Sequence, residues 1–142
     1  MKKFRSKDKD DGYTIIIGCG RLGAGLANNL SDDGRSVLVV DKDNDAFKRL
    51  SPSFGGLTLN GDATEIRVLS EANVEKASSV VAVTNSDNTN LLVAQLVKDR
   101  YGAKNVVARL YEPERACICI DAGIKTICPS VLSANAINEL LN

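Results

Sequence analysis

Short runs of β-branched and aliphatic residues recur along the chain and alternate with longer amphipathic stretches. Continuous apolar runs of this kind are typical of strands that are buried on both faces of a parallel sheet. The pattern predicts six strands, which we place at residues 13–17, 36–40, 56–60, 79–83, 106–110 and 124–128.

Apolar residues at helical spacing occupy most of the intervening segments. Leu22, Leu26 and Leu30 fall on one face of a helix over residues 21–30, and Gly34 marks its end. The same spacing predicts further helices over residues 45–50, 65–72, 91–101, 112–119 and 129–142.

The alternation of strand and helix predicts the fold class. We expect an α/β protein with a Rossmann-like, doubly wound, six-stranded parallel sheet and helices on both faces. Residues 1–12 carry basic and acidic side chains without apolar periodicity, which predicts a flexible charged tail. Residues 13–142 are expected to form one domain.

Polar clusters rich in Gly, Asp, Asn and Thr follow the first four predicted strands. The carboxyl ends of parallel strands meet at one edge of a sheet, and ligands of doubly wound proteins bind at that edge. The sequence therefore predicts a binding site formed by residues 18–23, 41–44, 61–64 and 84–90.

The first of these clusters has the spacing of a phosphate-binding loop. Gly18, Gly20 and Gly23 follow a strand and open a helix, and Asp41 ends the next strand. In such a loop the first glycine permits a tight turn, the second lets a pyrophosphate approach the backbone, and the third lets the helix pack against the strand. The helix also directs unpaired N–H groups and the positive end of its dipole at the same point. A dinucleotide or another phosphate-bearing nucleotide is the expected ligand.

Composition narrows the class of function. The chain has 142 residues, of which 18 are basic and 18 acidic, and aromatic residues make up only 4%. A nucleic-acid partner is not expected, because such a partner calls for a basic excess and stacking aromatics. No run approaches the length of a membrane-spanning helix, so we expect a cytoplasmic protein.

The chain contains no histidine, which excludes Ser-His and Cys-His nucleophilic catalysis. Its cysteines are interpreted as reduced thiols in apolar surroundings rather than as metal ligands. We expect neither catalytic nor metal-binding residues. The cysteines are Cys19, Cys117, Cys119 and Cys128.

Three motifs resemble one family. Residues 16–23 read Ile-Ile-Gly-Cys-Gly-Arg-Leu-Gly, Asp41 and Asp43 follow the second strand, and residues 61–64 read Gly-Asp-Ala-Thr. Together they resemble the TrkA N-terminal family, also called regulator of potassium conductance (RCK) domains, and the Gly-Asp-Ala-Thr block is the more specific signal. The resemblance covers about residues 13–141. Members of this family are cytoplasmic regulators of potassium channels and transporters, bind NAD(H) or adenine nucleotides, and assemble as dimers and rings.

The resemblance implies roles for individual residues. The glycines would bind the pyrophosphate, and Arg21 would face the terminal phosphate of ATP or ADP or the bridging phosphates of NAD. Asp41 would accept both ribose hydroxyls, while Asp62 and Ala63 would flank the adenine. The expected cofactor-binding residues are Gly18, Cys19, Gly20, Arg21, Leu22, Gly23, Asp41, Lys42, Asp43, Gly61, Asp62, Ala63, Thr84, Asn85, Asp87, Asn90 and Arg109.

Two of these residues, Asp87 and Arg109, have alternative interpretations. Thr84, Asp87 and Asn90 would meet the second half of a dinucleotide or the outer phosphates, but Asp87 could instead cap the following helix. Arg109 is unusual within an apolar strand, where a buried arginine should be paired. It would either reach the nucleotide or neutralise a carboxylate within the sheet.

We therefore expect a non-enzymatic regulatory subunit of a potassium uptake transporter or channel, which binds NAD(H), ATP, ADP or AMP. Its expected partners are a membrane potassium transporter subunit, through which it would reach the inner membrane face, and further copies of itself in a homodimer or higher oligomer. Ser130 follows Pro129, where some family members carry an acid that helps hold a cation. A small NAD-dependent oxidoreductase and a ligand-free interaction module of the same fold are the alternatives.

Overall fold

A computed structural model describes residues 12–142, so the predicted tail lies outside the described residues except for Gly12. Six parallel strands form one sheet in the order β3-β2-β1-β4-β5-β6, which confirms the predicted Rossmann-like class. The order reverses between β1 and β4, and this is the point where doubly wound sheets bind ligands. The strands are β1 (Thr14–Ile17), β2 (Val37–Asp41), β3 (Leu57–Asn60), β4 (Ser79–Ala82), β5 (Asn105–Arg109) and β6 (Lys125–Ile127).

Five α-helices connect and cover these strands, together with shorter 3-10 helices at Asn44–Arg49, Val74–Lys76 and Pro113–Arg115. The α-helices are α1 (Arg21–Asp32), α2 (Ile66–Glu71), α3 (Asp87–Tyr101), α4 (Ala116–Ala122) and α5 (Pro129–Leu141).

The central strand β1 is buried on both faces, as its continuous apolar run predicts. Ile15 and Ile17 pack into a core with α2 and α3, whereas Ile16 packs into a second core with α1 on the opposite face. This alternation follows from the two-residue period of a strand. The helices therefore lie on both faces, and the carboxyl edge of β1 remains free between them.

Several element boundaries differ from the sequence prediction. A 3-10 helix over residues 44–49 replaces the helix predicted over 45–50, and the predicted helix over 112–119 is split at Arg115. Helix α3 begins at Asp87, four residues before the prediction, because the Ser86 hydroxyl accepts a hydrogen bond from the Thr89 amide at 3.2 Å. The apolar spacing starts only at Leu91 and so missed this polar first turn.

Helix α5 is the least covered element of the described chain. None of its residues is buried, and Leu140 and Leu141 are 85% and 78% exposed. Among the described residues, no helix is long and apolar enough to span a bilayer. An apolar helix that the described part of the chain leaves uncovered is a candidate contact surface.

The cysteines are free thiols, but they do not share one environment. Cys19 and Cys119 are buried, as predicted, whereas Cys128 is only partly covered. The apolar surroundings predicted for Cys117 are wrong, because its side chain is exposed on α4.

Candidate functional site

A cleft of about 730 Å³ lies at the carboxyl edge of the sheet, over the switch between β1 and β4. Its volume is in the range of sites for small molecules and cofactors. All but three of the predicted site residues line it; the exceptions are Gly23, Asp87 and Asn90. The predicted residues that the structure brings together are Gly18, Cys19, Gly20, Arg21, Leu22, Asp41, Lys42, Asp43, Gly61, Asp62, Ala63, Thr84, Asn85 and Arg109.

The glycine loop forms the floor of the cleft. Gly18 has a φ of +109°, and a Cβ atom there would lie 2.9 Å from the Thr84 amide nitrogen. Gly23 does not line the cleft, and a Cβ atom at this position would collide with the Gly18 carbonyl oxygen. Gly23 thus allows close packing between α1 and β1, as the spacing predicts.

Gly20 has a different environment from the other two glycines. A Cβ atom at Gly20 would meet no atom within 4 Å, because this residue faces the open cleft. It is also the N-cap of α1 and has no side chain to occupy the first amides of the helix. Unpaired amides at the start of a helix and the positive end of its dipole favour an anion.

Asp41 joins the end of β2 to the glycine loop. One carboxylate oxygen accepts a hydrogen bond from the Cys19 amide at 2.7 Å, and the other accepts one from the Asp43 amide at 2.8 Å. Each oxygen retains a further lone pair for a ligand hydroxyl. Beside it, burial and the Asp41 charge raise the pKa of the Cys19 thiol, so this cysteine stays protonated at neutral pH.

The Gly-Asp-Ala-Thr block forms a turn on the β2–β3 side of the cleft. Asp62 accepts hydrogen bonds from the Thr64 amide at 3.0 Å and from the Thr64 hydroxyl at 2.7 Å. These bonds, with a smaller contribution from Lys42, lower the pKa of the Asp62 carboxyl. Asp62 is therefore ionised at neutral pH and can act only as an acceptor.

Asn90 lies beneath the cleft rather than in it. Its side chain is completely buried, and its carboxamide nitrogen donates hydrogen bonds to the Thr84 carbonyl at 3.1 Å and to the Arg109 carbonyl at 2.8 Å. Asn90 therefore fixes the ends of β4 and β5 beside one another, and its side chain is already occupied by the protein.

Asp87 also turns away from the cleft. Its carboxylate accepts hydrogen bonds from the Tyr111 amide at 2.7 Å and from the Glu112 amide at 3.1 Å. The capping interpretation of Asp87 is wrong, because the side chain of Ser86 caps α3. The first turn of α3 instead holds the segment that follows β5.

Arg109 reaches the cleft from the end of β5. One terminal nitrogen donates to the Thr84 carbonyl at 2.6 Å, and the guanidinium carbon lies 5.1 Å from the centre of the Tyr111 ring. Within residues 12–142 this guanidinium forms no ion pair, so the alternative of a paired carboxylate within the sheet is wrong for the described chain.

Two lining residues with polar side chains lie outside the predicted clusters and were missed by the sequence analysis. Arg49 lies in the 3-10 helix after β2, and one of its terminal nitrogens donates to the Cys19 carbonyl oxygen at 3.5 Å. Tyr111 follows β5. The rule that residues after a strand reach the carboxyl edge would have indicated Tyr111. No pattern in the sequence around Arg49 indicated a site residue, because only the course of the 3-10 helix brings it to the cleft.

The sheet order and the cleft at its switch point define a doubly wound α/β protein of the Rossmann class. The chain belongs to the TrkA-N domain family, whose model matches residues 14–129. It is 39% identical over 115 residues to the Trk system potassium uptake protein TrkA of Streptomyces coelicolor, covering 81% of this chain and 52% of that protein. The chain thus spans about half the length of this curated relative.

Solved structures share the fold. The TrkA-N domain of the inner membrane protein ybaL from Escherichia coli superposes with a TM-score of 0.82 at 16% identity, covering 92% of this chain and 96% of that one. The GsuK channel bound to NAD gives a TM-score of 0.70 at 22% identity, covering 82% and 21%. The AMP-bound Kef C-terminal domain of Shewanella denitrificans gives 0.71 at 22% identity, covering 92% and 83%.

Proposed function

We propose that this chain binds NAD(H) or an adenine nucleotide (ATP, ADP or AMP) in the cleft and thereby regulates a potassium uptake transporter or channel as a cytoplasmic subunit. One observation carries the proposal, namely the 2.7 Å hydrogen bond from the Cys19 amide to the Asp41 carboxylate. This contact holds the Asp41 carboxylate beside the open N-terminus of α1, where we propose that it binds the ribose. A ribose and the phosphates attached to it need these two features at adjacent positions.

The ligand is proposed to lie across the glycine loop. Its phosphates would face Gly20 and the first amides of α1, while its ribose hydroxyls would donate to Asp41. The adenine would lie beside Asp62 and Ala63. A 2′-phosphate about 4 Å from the Asp41 carboxylate would be repelled by roughly 4 kcal/mol at an intermediate effective dielectric constant. We therefore propose NAD(H) rather than NADP(H), although Lys42 next to Asp41 reduces the penalty.

Relatives support the regulatory part of this proposal. The relative from Streptomyces coelicolor is named a potassium uptake protein, and the structural neighbours include a channel bound to NAD and a domain bound to AMP. A ligand regulates a membrane partner only if it binds two conformations with different affinity. A hundredfold difference would supply about 2.7 kcal/mol of bias per site.

A non-enzymatic role fits the chemistry of the cleft. Both carboxylate oxygens of Asp41 already accept backbone hydrogen bonds, and Asp62 is kept ionised by Thr64. The Cys19 thiol has a raised pKa, which disfavours the nucleophilic thiolate. These groups can orient a nucleotide, but they are poorly suited to acid-base or nucleophilic catalysis. Turnover of NADH with a carbonyl substrate would instead support the oxidoreductase alternative.

The regulatory unit is proposed to be a homodimer or higher oligomer. Helix α5 offers an apolar face without a partner among the described residues, and a second copy of the chain would cover it. Association through α5 would link the cleft of one subunit to its neighbours. This link would let ligand occupancy in several subunits act together on a membrane potassium transporter.

Potassium uptake by cells that depend on the full-length protein tests this function. The Asp41→Ala variant should lose the dependence of uptake on NADH and ATP, because the ribose acceptor is removed. Asp45→Ala is the matched control, since Asp45 is an exposed acid that lies outside the cleft lining and pairs with Lys48. If uptake with Asp41→Ala still responds fully to both nucleotides, the proposed function is wrong.

A further inference from the structure

The two halves of the cleft differ in their acidic side chains. The carboxylates that line it are those of Asp41 at the end of β2, Asp43 after β2 and Asp62 after β3, beside the basic side chains of Lys42 and Arg49. The half formed after β4 and β5 is lined by hydroxyl and amide side chains, by Tyr111 and by the guanidinium of Arg109. No carboxylate among the described residues lines this distal half, since Asp87 is bound to the amides of the segment after β5.

Arg109 is held in place in the distal half. The Thr84 carbonyl accepts from one of its terminal nitrogens at 2.6 Å, and the Tyr111 ring lies against the guanidinium. Its Nε atom is buried and has no hydrogen-bond partner in the described chain. Since a guanidinium carries five N–H donors, Arg109 keeps terminal donors for a ligand after its bond to Thr84.

The guanidinium also lies close to the glycine loop. A Cβ atom on Gly18 would approach the Thr84 amide nitrogen to 2.9 Å, so the backbones of Gly18 and Thr84 are in direct contact. Arg109 binds the carbonyl oxygen of the same Thr84. Thr84 therefore lies between the glycine loop, which would face the phosphates, and the fixed guanidinium of Arg109. A phosphate chain that continues past Gly20 toward β5 would meet this cation.

We propose that Arg109 and Tyr111 form an anion subsite for a phosphate beyond those bound at the glycine loop, so that the cleft prefers nucleoside triphosphates to monophosphates. This inference rests on the proposed function and names the ligand class within it. Guanidinium donors match phosphate oxygens in pairs, and the aromatic ring keeps their plane oriented.

Neither Arg21 nor the nicotinamide half of a dinucleotide replaces the proposed pairing of Arg109 with a phosphate. The Arg21 side chain is exposed and has no hydrogen bond or ion pair within residues 12–142, so nothing holds it in a binding conformation. The nicotinamide half of NAD carries no phosphate beyond the pyrophosphate, and its oxidised ring is a cation that Arg109 would repel. Arg109 is thus a preorganised group whose charge suits a terminal phosphate.

Calorimetric titration with AMP, ADP and ATP tests the subsite. The wild-type chain should bind ATP at least about tenfold more tightly than AMP, since a hydrogen bond to a charged group contributes on that order. Arg109→Gln retains a donor for the Thr84 carbonyl but loses the charge. It should weaken ATP binding by about tenfold to a hundredfold and change AMP binding by less than about threefold.

Arg67→Gln is the matched control. Arg67 is an exposed arginine on α2 that pairs with Glu65 and Glu71 outside the cleft, so its loss should leave all three affinities unchanged. An unchanged ratio of ATP to AMP affinity in Arg109→Gln would overturn the inference and leave Arg109 as a brace for Thr84.

The affinities of the wild-type chain test the anion subsite even if Arg109→Gln does not fold. Equal affinity of the wild-type chain for ATP and AMP would overturn the subsite alone and leave nucleotide binding intact. Failure of the wild-type chain to bind AMP, ADP, ATP or NADH would overturn both the subsite and the proposed function.

Discussion

The Asn90 side chain and the Thr84 backbone and hydroxyl are joined by three hydrogen bonds. The Asn90 carboxamide oxygen accepts from the Thr84 amide at 2.9 Å and from the Thr84 hydroxyl at 2.7 Å, and its nitrogen donates to the Thr84 carbonyl at 3.1 Å. Asn90 belongs to α3, whereas Thr84 forms the wall of the cleft after β4. The shape of the distal half of the cleft therefore depends on a residue that no ligand can touch.

Asn90→Ala should destabilise the fold by about 1–3 kcal/mol, because it leaves the buried polar groups of Thr84 without their partner. Urea unfolding measures this change. Asn29→Ala is the control, since Asn29 is exposed on α1 and its loss should change the unfolding free energy by less than about 0.5 kcal/mol. Equal effects of the two variants would contradict the structural role of Asn90.

Alanine at two glycines of the loop should have opposite consequences. Gly20→Ala should fold with nearly unchanged stability, since φ is −81° and a Cβ atom meets nothing within 4 Å, but it should weaken nucleotide binding. Gly23→Ala should lose about 1–3 kcal/mol of stability or more, because its Cβ atom would collide with the Gly18 carbonyl oxygen. Thermal unfolding and binding titrations separate the two effects. A stable Gly23→Ala variant would refute the close contact between α1 and β1.

Acid should destabilise the protein partly through Asp62. Hydrogen bonds from Thr64 chiefly lower the pKa of the Asp62 carboxyl in the folded state. The contribution of Asp62 to the free energy of unfolding is therefore fully present above the ordinary aspartate pKa, and it is lost as the pH falls through the lowered folded pKa. Thr64→Val removes the hydroxyl hydrogen bond and should make the unfolding free energy less dependent on pH in the acid range. Unfolding curves at several acid pH values measure this slope. An unchanged slope would show that the Thr64 hydroxyl does not hold the carboxylate.

Charge on the apolar face of α5 should disrupt self-association. Leu140 is 85% exposed, and Leu140→Glu should shift a dimer toward monomers at micromolar concentration by burying an unpaired charge in the interface. Sedimentation velocity measures this shift. Asn138→Glu places the same charge about 200° away around the helix and should leave association intact. If both variants associate as the wild type does, α5 is not the contact surface.

The strands and the glycine loop could be predicted from the sequence because they depend on local physics. A buried parallel strand requires a continuous apolar run, as in β1, and the loop requires glycine at Gly18 and Gly23 for backbone reasons alone. Both features are therefore visible in the order of residues without any knowledge of tertiary contacts.

The direction of individual side chains was harder to predict from the sequence. Asp87 and Asn90 follow β4, which predicts that they reach the ligand. The Asn90 side chain instead donates to the Arg109 carbonyl at the end of β5, and the Asp87 carboxylate accepts from the Tyr111 amide beyond that strand. Residues 44–49 form a 3-10 helix in which the Asp43 carboxylate accepts from the Asp45 amide at 3.0 Å. Such outcomes depend on tertiary packing and on competing side-chain hydrogen bonds, which periodicity does not encode.

Nucleotide binding to the purified chain is the measurement that tests the central claim most directly. Calorimetric titration with NADH, ADP and ATP should give one site per chain for the wild type. Asp41→Ala should weaken binding by at least about tenfold, which is the expected loss for the ribose hydrogen bonds to a carboxylate. Absence of binding by the folded wild-type chain, or equal affinities in Asp41→Ala, would contradict a nucleotide site at this edge of the sheet.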